Sequence, residues 1–196
     1  MIVWKTGDIF TTSCKTIVNT VNCEGIMGKG IALECKKRYP FMFKIYQYVC
    51  AYGSKGTQNN PILKEGGDLY FYWNSKANIN DAWLPFENSL EKIHSNINEV
   101  YDKHHILNFA TKVYWRNPSK LEWIEKGLYN FCVKDYEHNN EKFKYYELGP
   151  NNYNKALTSI AWPKLGCSNG GLKWEDVKPL MIKYLNPLPF KCEIYE

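Results

Sequence analysis

The sequence predicts an α/β domain in which a sheet is covered by helices on both faces. Three observations carry that expectation. Segments rich in β-branched and apolar residues alternate with segments of helical periodicity along the chain. Two of the strand-to-helix junctions are crowded with glycine. The length, 196 residues with 44% hydrophobic and 16% aromatic content, suits one well-filled core and is short for two.

The elements follow in order. "MIVWK" (1–5) and "TIVNTVN" (16–22) are β-branched and apolar and read as strands. "GKGIALECKKRYP" (28–40) and "FMFKIYQYVCAYG" (41–53) have helical periodicity, with Pro40 between them and Gly53 ending the second. "DLYFYW" (68–73) and "HILNFA" (105–110) are strands, with a helix expected over "FENSLEKIHSNINEVY" (86–101) between them. "SKLEWIEKGLYNFCV" (119–133) is a helix with Ser119 as N-cap and Glu122 three residues on, the spacing of a capping box. "ALTSIAW" (156–162) is a strand, "KWEDVKPLMIKYL" (173–185) a helix and "FKCEIY" (190–195) the final strand. No repeat or linker divides the chain, so residues 1–196 are expected to form a single domain. The Asn- and Lys-rich segments 74–104 and 134–155 read as surface excursions.

Composition narrows the function classes. The formal charge of +5 permits an anionic ligand without demonstrating one. The seven cysteines are odd in number and scattered, none with CxxC spacing, and the four histidines supply no matching half, so no metal site is expected. The N-terminus lacks a basic segment followed by an apolar run, and no stretch approaches membrane-spanning length. A soluble cytoplasmic protein with reduced thiols and no membrane partner is the expectation.

Chemistry concentrates in three stretches. "TVNCEGIMGKGIALECKKR" (20–38) places Gly25, Gly28 and Gly30 between a strand and a helix. Glycines there admit positive φ and let backbone N–H groups approach a ligand, while the helix dipole favours an anion. The spacing is neither G-x-G-x-x-G nor G-x-x-x-x-G-K-[ST], so tight packing and a phosphate cradle both remain readings of this turn. "AWPKLGCSNGGLKWEDV" (161–177) repeats the design with Gly166, Gly170 and Gly171. Two such loops can face each other across the carboxyl edge of a sheet, where open α/β sheets bind ligands, and clamp a diphosphate. In "NFATKVYWRNPSKLEWIEKGL" (108–128), Lys112, Trp115 and Arg116 crowd the end of a strand with no acidic residue close by in sequence. That stretch is either a solvated loop or a catalytic one.

Together with "GDIF" (7–10), these blocks appear in an order that resembles the macrodomains of DarG type, DNA ADP-ribosyl glycohydrolases related to the terminal ADP-ribose glycohydrolases. The resemblance implies a three-layer α/β/α fold with a mixed, largely parallel six-stranded sheet, and a cleft for ADP-ribose along the sheet's crest. It implies a hydrolase that removes ADP-ribose from thymidine bases in DNA, undoing a DarT-type ADP-ribosyltransferase, with no cofactor. The implied partners are ADP-ribose, ADP-ribosylated single-stranded DNA and the transferase itself.

The resemblance also assigns residues. Asp8 would accept a hydrogen bond from the adenine amino group and Ile9 would line the adenine pocket; locally, Asp8 reads equally as a turn residue after Gly7. Asn19, Thr20 and Asn22 would lie near the distal ribose, or cap the end of the strand. Met27, Gly28, Lys29, Gly30 and Ile31 match the first phosphate-and-ribose loop. Gly166, Cys167, Ser168, Asn169, Gly170, Gly171 and Leu172 match the second, with Cys167 a small lining residue rather than a nucleophile. A side chain at Gly30 or Gly170 is expected to fill the space a phosphate needs.

Lys112, preceded by Thr111, matches the catalytic lysine. It would attack C1″ and form a covalent intermediate, or protonate the leaving base. Tyr114, Trp115 and Arg116 would form a rim for the DNA; alternatively Trp115 packs under the following helix and Arg116 pairs with Glu122 or Glu125. The chain departs from the family pattern at Ala110, usually proline, and at Ser168, usually glycine. Gly170 stands where the terminal ADP-ribose glycohydrolases carry a catalytic aspartate, which leaves the general base unassigned. The chain ends with its last strand, without the antitoxin's usual partner-binding region, as either an excised domain or a stand-alone hydrolase would. A hydrolase of protein-linked ADP-ribose, an ADP-ribose-1″-phosphate phosphatase and a non-catalytic ADP-ribose reader are the competing functions. Lys112 speaks against the last, and the basic aromatic rim speaks for a macromolecular substrate.

Overall fold

The computed structural model describes residues 1–51, 62–72, 104–134 and 158–196. The helix expected over 86–101, and nearly all of the two surface excursions, lie outside the described residues. Six strands are present: β1 (Ile2–Lys5), β2 (Thr16–Val21), β3 (Leu69–Tyr72), β4 (His105–Ala110), β5 (Ser159–Pro163) and β6 (Lys191–Tyr195). Among the described residues four α-helices accompany them: α1 (Gly30–Arg38), α2 (Pro40–Ala51), α3 (Leu121–Tyr129), which runs on into a π-helical turn at Asn130–Lys134, and α4 (Trp174–Leu185).

The strands form one sheet in the order β1-β6-β5-β2-β4-β3. All neighbours are parallel except β3, which runs antiparallel to β4 at the edge. This is the mixed, largely parallel six-stranded sheet that the family resemblance implies. Its central strands are continuous apolar runs because both of their faces are covered. Alternation along β4 sorts the side chains: Ile106 and Ala110 join the core beneath α1 and α2, whereas Leu107 and Phe109 join the core beneath α3 and α4. Met42, Tyr46 and Val49 of α2 close the first layer, and Ile124, Leu128, Val177 and Met181 close the second, all fully buried. Each such side chain contributes roughly 1.5–3 kcal/mol on burial, so the two layers, rather than helix propensity, hold the architecture.

Three boundaries differ from expectation. Pro40 opens α2 instead of separating two helices, a position where the missing N–H costs nothing. The strand expected from residue 156 begins at Ser159. Ser119 is not the N-cap of α3: the helix starts at Leu121, its N-cap is Lys120, and no side chain caps it. The cause is tertiary. The Ser119 N–H donates to the Gly170 carbonyl at 2.8 Å, which draws residue 119 out of the helical path.

Candidate functional site at the crest of the sheet

Strands β5, β2 and β4 are adjacent and parallel, so their carboxyl ends lie side by side. Each gives rise to one of the three loops singled out in the sequence. The loops are stitched together. The Thr111 N–H donates to the Val21 carbonyl and the Cys23 N–H to the Val113 carbonyl, both at 3.0 Å. The Trp115 N–H donates to Glu24 Oε2 at 2.7 Å, and Lys112 Nζ donates to the Asn169 carbonyl at 2.5 Å.

The first loop is organised from within by Asn22. Its Oδ1 accepts from the Glu24 N–H (2.9 Å) and the Tyr46 hydroxyl (3.0 Å), while its Nδ2 donates to the Ile26 carbonyl at 2.6 Å. Asn19 lies beneath, fully buried, donating to Asn108 Oδ1 at 2.9 Å and reaching Met27 Sδ at 3.9 Å. Asn22 is thus engaged in shaping the loop, and Asn19 supports it through its amide N–H while its buried Oδ1 accepts no hydrogen bond from the described residues. Thr20 is half-buried at the end of β2, and the buried Thr111 ties β4 to β2. Met27 anchors the loop in the core and leaves Gly28, Lys29 and Gly30 exposed, with Ile31 half-buried. Helix α1 then begins with no side-chain cap and no acidic residue in its first turn. Its first N–H groups lack intrahelical partners and face the crest with the positive end of the dipole, as an anion site requires.

The second loop turns on Gly166 and Gly171, at φ 67° and 78°. Ser168 is the one non-glycine residue with positive φ among the described residues, at 35°, which explains why glycine is usual there. Cys167 is buried in the loop, its Sγ directed at the Leu165 carbonyl, and burial pushes its thiol pKa up, away from the thiolate form a nucleophile needs. Leu172 packs on the core beneath α3 and α4. The two glycine loops do meet: a Cβ at Gly30 would stand 3.0 Å from Asn169 Nδ2. Gly170 has a packing constraint of its own. A Cβ there would fall 2.5 Å from Ser119 Oγ, so loop packing by itself already favours glycine at this position.

Asp8 sits past the end of β1. Its Oδ1 accepts from the Phe10 N–H at 3.0 Å, capping the short turn Ile9–Thr11, and its Oδ2 lies 3.7 Å from the Arg38 guanidinium. The local turn role is thus realised, and 52% of the side chain stays exposed to a further donor. Ile9 is buried beside it.

Lys112 is half-buried, with Nζ directed at the Asn169 carbonyl and, at 3.4 Å, the Trp115 carbonyl. Burial lowers its pKa from the usual lysine value. Tyr114 and Trp115 beyond it are exposed, at 56% and 43%, and the Arg116 guanidinium lies over the Trp115 ring at 4.8 Å from its centroid. Trp115 does not pack under α3. The glutamates considered for Arg116 have other cations: Glu122 is 3.5 Å from Lys120 and Glu125 2.9 Å from Lys183.

Sequence reasoning missed Glu24, and it gave Ser119 a helix-capping role instead of its contact with Gly170. Glu24 stands 91 positions from Trp115 and Ser119 51 from Gly170, so nothing local marks either contact. Among the described residues no group of three or more His, Cys, Asp or Glu is placed to hold a metal, and all seven cysteines are free thiols. No described helix is long and apolar enough to cross a membrane. A depression of about 470 Å³ on the outer side of α4, lined by Glu175, Lys178, Pro179, Ile182 and Lys183, contains none of the crest residues.

No family model matches the chain. It is 32% identical over 189 residues to the DNA ADP-ribosyl glycohydrolase of Mycobacterium tuberculosis, an alignment covering 96% of this chain and 40% of that protein. The chain thus spans well under half the length of that relative. The solved macrodomain of Mycobacterium tuberculosis DarG is 31% identical, covers 100% of this chain with 97% of its own, and superposes with a TM-score of 0.66. Thermosipho africanus DarTG in complex with ADP-ribose is 28% identical with a TM-score of 0.66, covering 99% of this chain and 41% of that one. Fold, crest and relatives agree: the chain belongs to the macrodomains of DarG type.

Proposed function

We propose that this chain is an ADP-ribosyl glycohydrolase that removes ADP-ribose from thymidine bases in single-stranded DNA, reversing a DarT-type ADP-ribosyltransferase. The observation that carries the reading is Lys112: a half-buried amine of lowered pKa, held by two carbonyls where the three crest loops converge. The open N–H groups of α1 and the turn at Gly166–Gly171 take the diphosphate, which sets the distal ribose beside the amine. A neutral lysine then forms a bond to C1″ as the bond to the base breaks. The base leaves with the electron pair and gains a proton, and water releases ADP-ribose and restores the amine. That a related DarTG protein is solved with ADP-ribose supports the ligand.

DNA is preferred over protein as the carrier because the surface beyond the lysine is an exposed aromatic ring and guanidinium, Trp115 and Arg116, which suit stacking on an unpaired base. Seven free thiols suit a reducing, cytoplasmic setting. The test is a comparison of ADP-ribose release from modified thymidine in a single-stranded oligonucleotide and from modified glutamate or serine in protein. Faster release from the oligonucleotide supports the reading; faster release from protein replaces DNA by protein as the substrate. Binding of ADP-ribose with no release from either would leave a reader.

A further inference from the structure

Glu24 is the acidic side chain that the topology brings to the lysine loop. It belongs to the first glycine loop, between Cys23 and Gly25, and its Oε2 accepts the backbone N–H of Trp115 at 2.7 Å. The same residue, Trp115, receives Lys112 Nζ at its carbonyl, 3.4 Å away. One residue of the rim is therefore held from both sides, by the carboxylate of the phosphate loop and by the catalytic amine. The neighbouring contacts run the same way: the Cys23 N–H donates to Val113, and Cys23 Sγ lies 3.4 Å from the Lys112 carbonyl.

The choice of partner is informative. A carboxylate with a cation within reach would ordinarily pair with it. Here it takes the amide, and Arg116 turns instead over the Trp115 ring. Among the described residues no carboxylate pairs with Arg116. The carboxylate fixes the rim's backbone while leaving its cation and ring presented outward.

We infer that Glu24 is a specificity-determining positioning residue: it latches the Trp115–Arg116 rim to the phosphate loop, so that a polymer carrying ADP-ribose meets a preorganised stacking surface. The inference rests on the proposed DNA substrate for its purpose, but the latch itself is a matter of one hydrogen bond. An anion seated on the first loop and a base seated on Trp115 then share a rigid frame, which lowers the ordering cost of binding both. Free ADP-ribose, which never reaches the rim, gains nothing from it.

The test uses Glu24→Ala, which removes the acceptor, and Glu24→Gln, whose amide oxygen keeps an acceptor without the charge. Hydrogen exchange should show the Trp115 amide losing protection in Glu24→Ala and keeping most of it in Glu24→Gln. With ADP-ribosylated single-stranded oligonucleotide, Glu24→Ala should raise KM by about tenfold with kcat little changed, and Glu24→Gln should restore most of the loss. The affinity for free ADP-ribose, by calorimetry, should stay near that of the parent chain in both. Unchanged exchange in Glu24→Ala overturns the latch. So does an equal loss of free ADP-ribose affinity, which would mean that Glu24 serves the phosphate loop alone. A KM that falls in both variants also overturns it, since Glu24 would then act only by repelling phosphates. If the parent chain releases nothing from the oligonucleotide, the proposed substrate fails, and the exchange experiment still decides whether the latch exists.

Discussion

At the scale of single residues, the proposed reaction turns on the protonation of Lys112. Burial disfavours its ammonium form and lowers its pKa from 10.5, so the neutral amine becomes available at a lower pH than for a free lysine. If the amine is the nucleophile, the single-turnover rate should rise with pH and level off below that ordinary value. A rate that falls over the same range would make the protonated lysine a donor to the leaving base. Lys112→Ala should abolish turnover yet bind ADP-ribose within about tenfold of the parent chain, or ~1.4 kcal/mol, because backbone N–H groups supply the phosphate contacts. Ser168 offers a separate test. Its φ of 35° is strained for any side chain, so Ser168→Gly should stabilise the fold by about 1 kcal/mol, read as a raised thermal midpoint. Gly170→Ala should do the reverse by colliding with Ser119 Oγ, and adding Ser119→Gly should recover much of the loss.

At the scale of elements, Ser119 separates local from tertiary logic. Its sequence context is that of a capping box, and a true cap replaced by alanine costs about 1 kcal/mol. In the structure its hydroxyl is buried with no hydrogen-bond partner, and α3 has no side-chain cap at all. Ser119→Ala should therefore be neutral or slightly stabilising in chemical denaturation; a loss of about 1 kcal/mol would restore the cap. The strands were legible because a parallel sheet covered on both faces writes itself as unbroken apolar runs, such as "TIVNTV" and "HILNFA". Both glycine loops and Lys112 were legible because they fall where strands end. The contacts of Asn19, Asn22, Glu24 and Gly170 were not, since each is made with a residue distant in sequence: Asn108, Tyr46, Trp115 and Ser119.

At the scale of the whole molecule, the sheet joins the crest to a buried polar network on β6. Glu193 is 2% exposed and accepts from the Thr12 hydroxyl at 2.6 Å, from Lys191 at 2.5 Å and from the Tyr195 hydroxyl at 3.1 Å. Burial alone would raise its pKa. The hydrogen bonds and the lysine charge outweigh that and lower it from 4.5 to about 2. A depressed carboxylate stabilises the fold above its unfolded pKa and loses that contribution as pH falls toward the folded value. Stability should thus decline between about pH 5 and pH 2, by at most about 3 kcal/mol from this group, and Glu193→Gln should flatten that limb of the curve. In the proposed reading, one fold presents a diphosphate site, an activated lysine and a base-stacking rim along one edge. The most direct measurement is release of ADP-ribose from a single-stranded oligonucleotide carrying it on thymidine, by the parent chain and by Lys112→Ala. Release by the parent chain and none by the variant, with binding retained, is the expected result. Undiminished release by Lys112→Ala, or none by a parent chain that binds ADP-ribose, would contradict it.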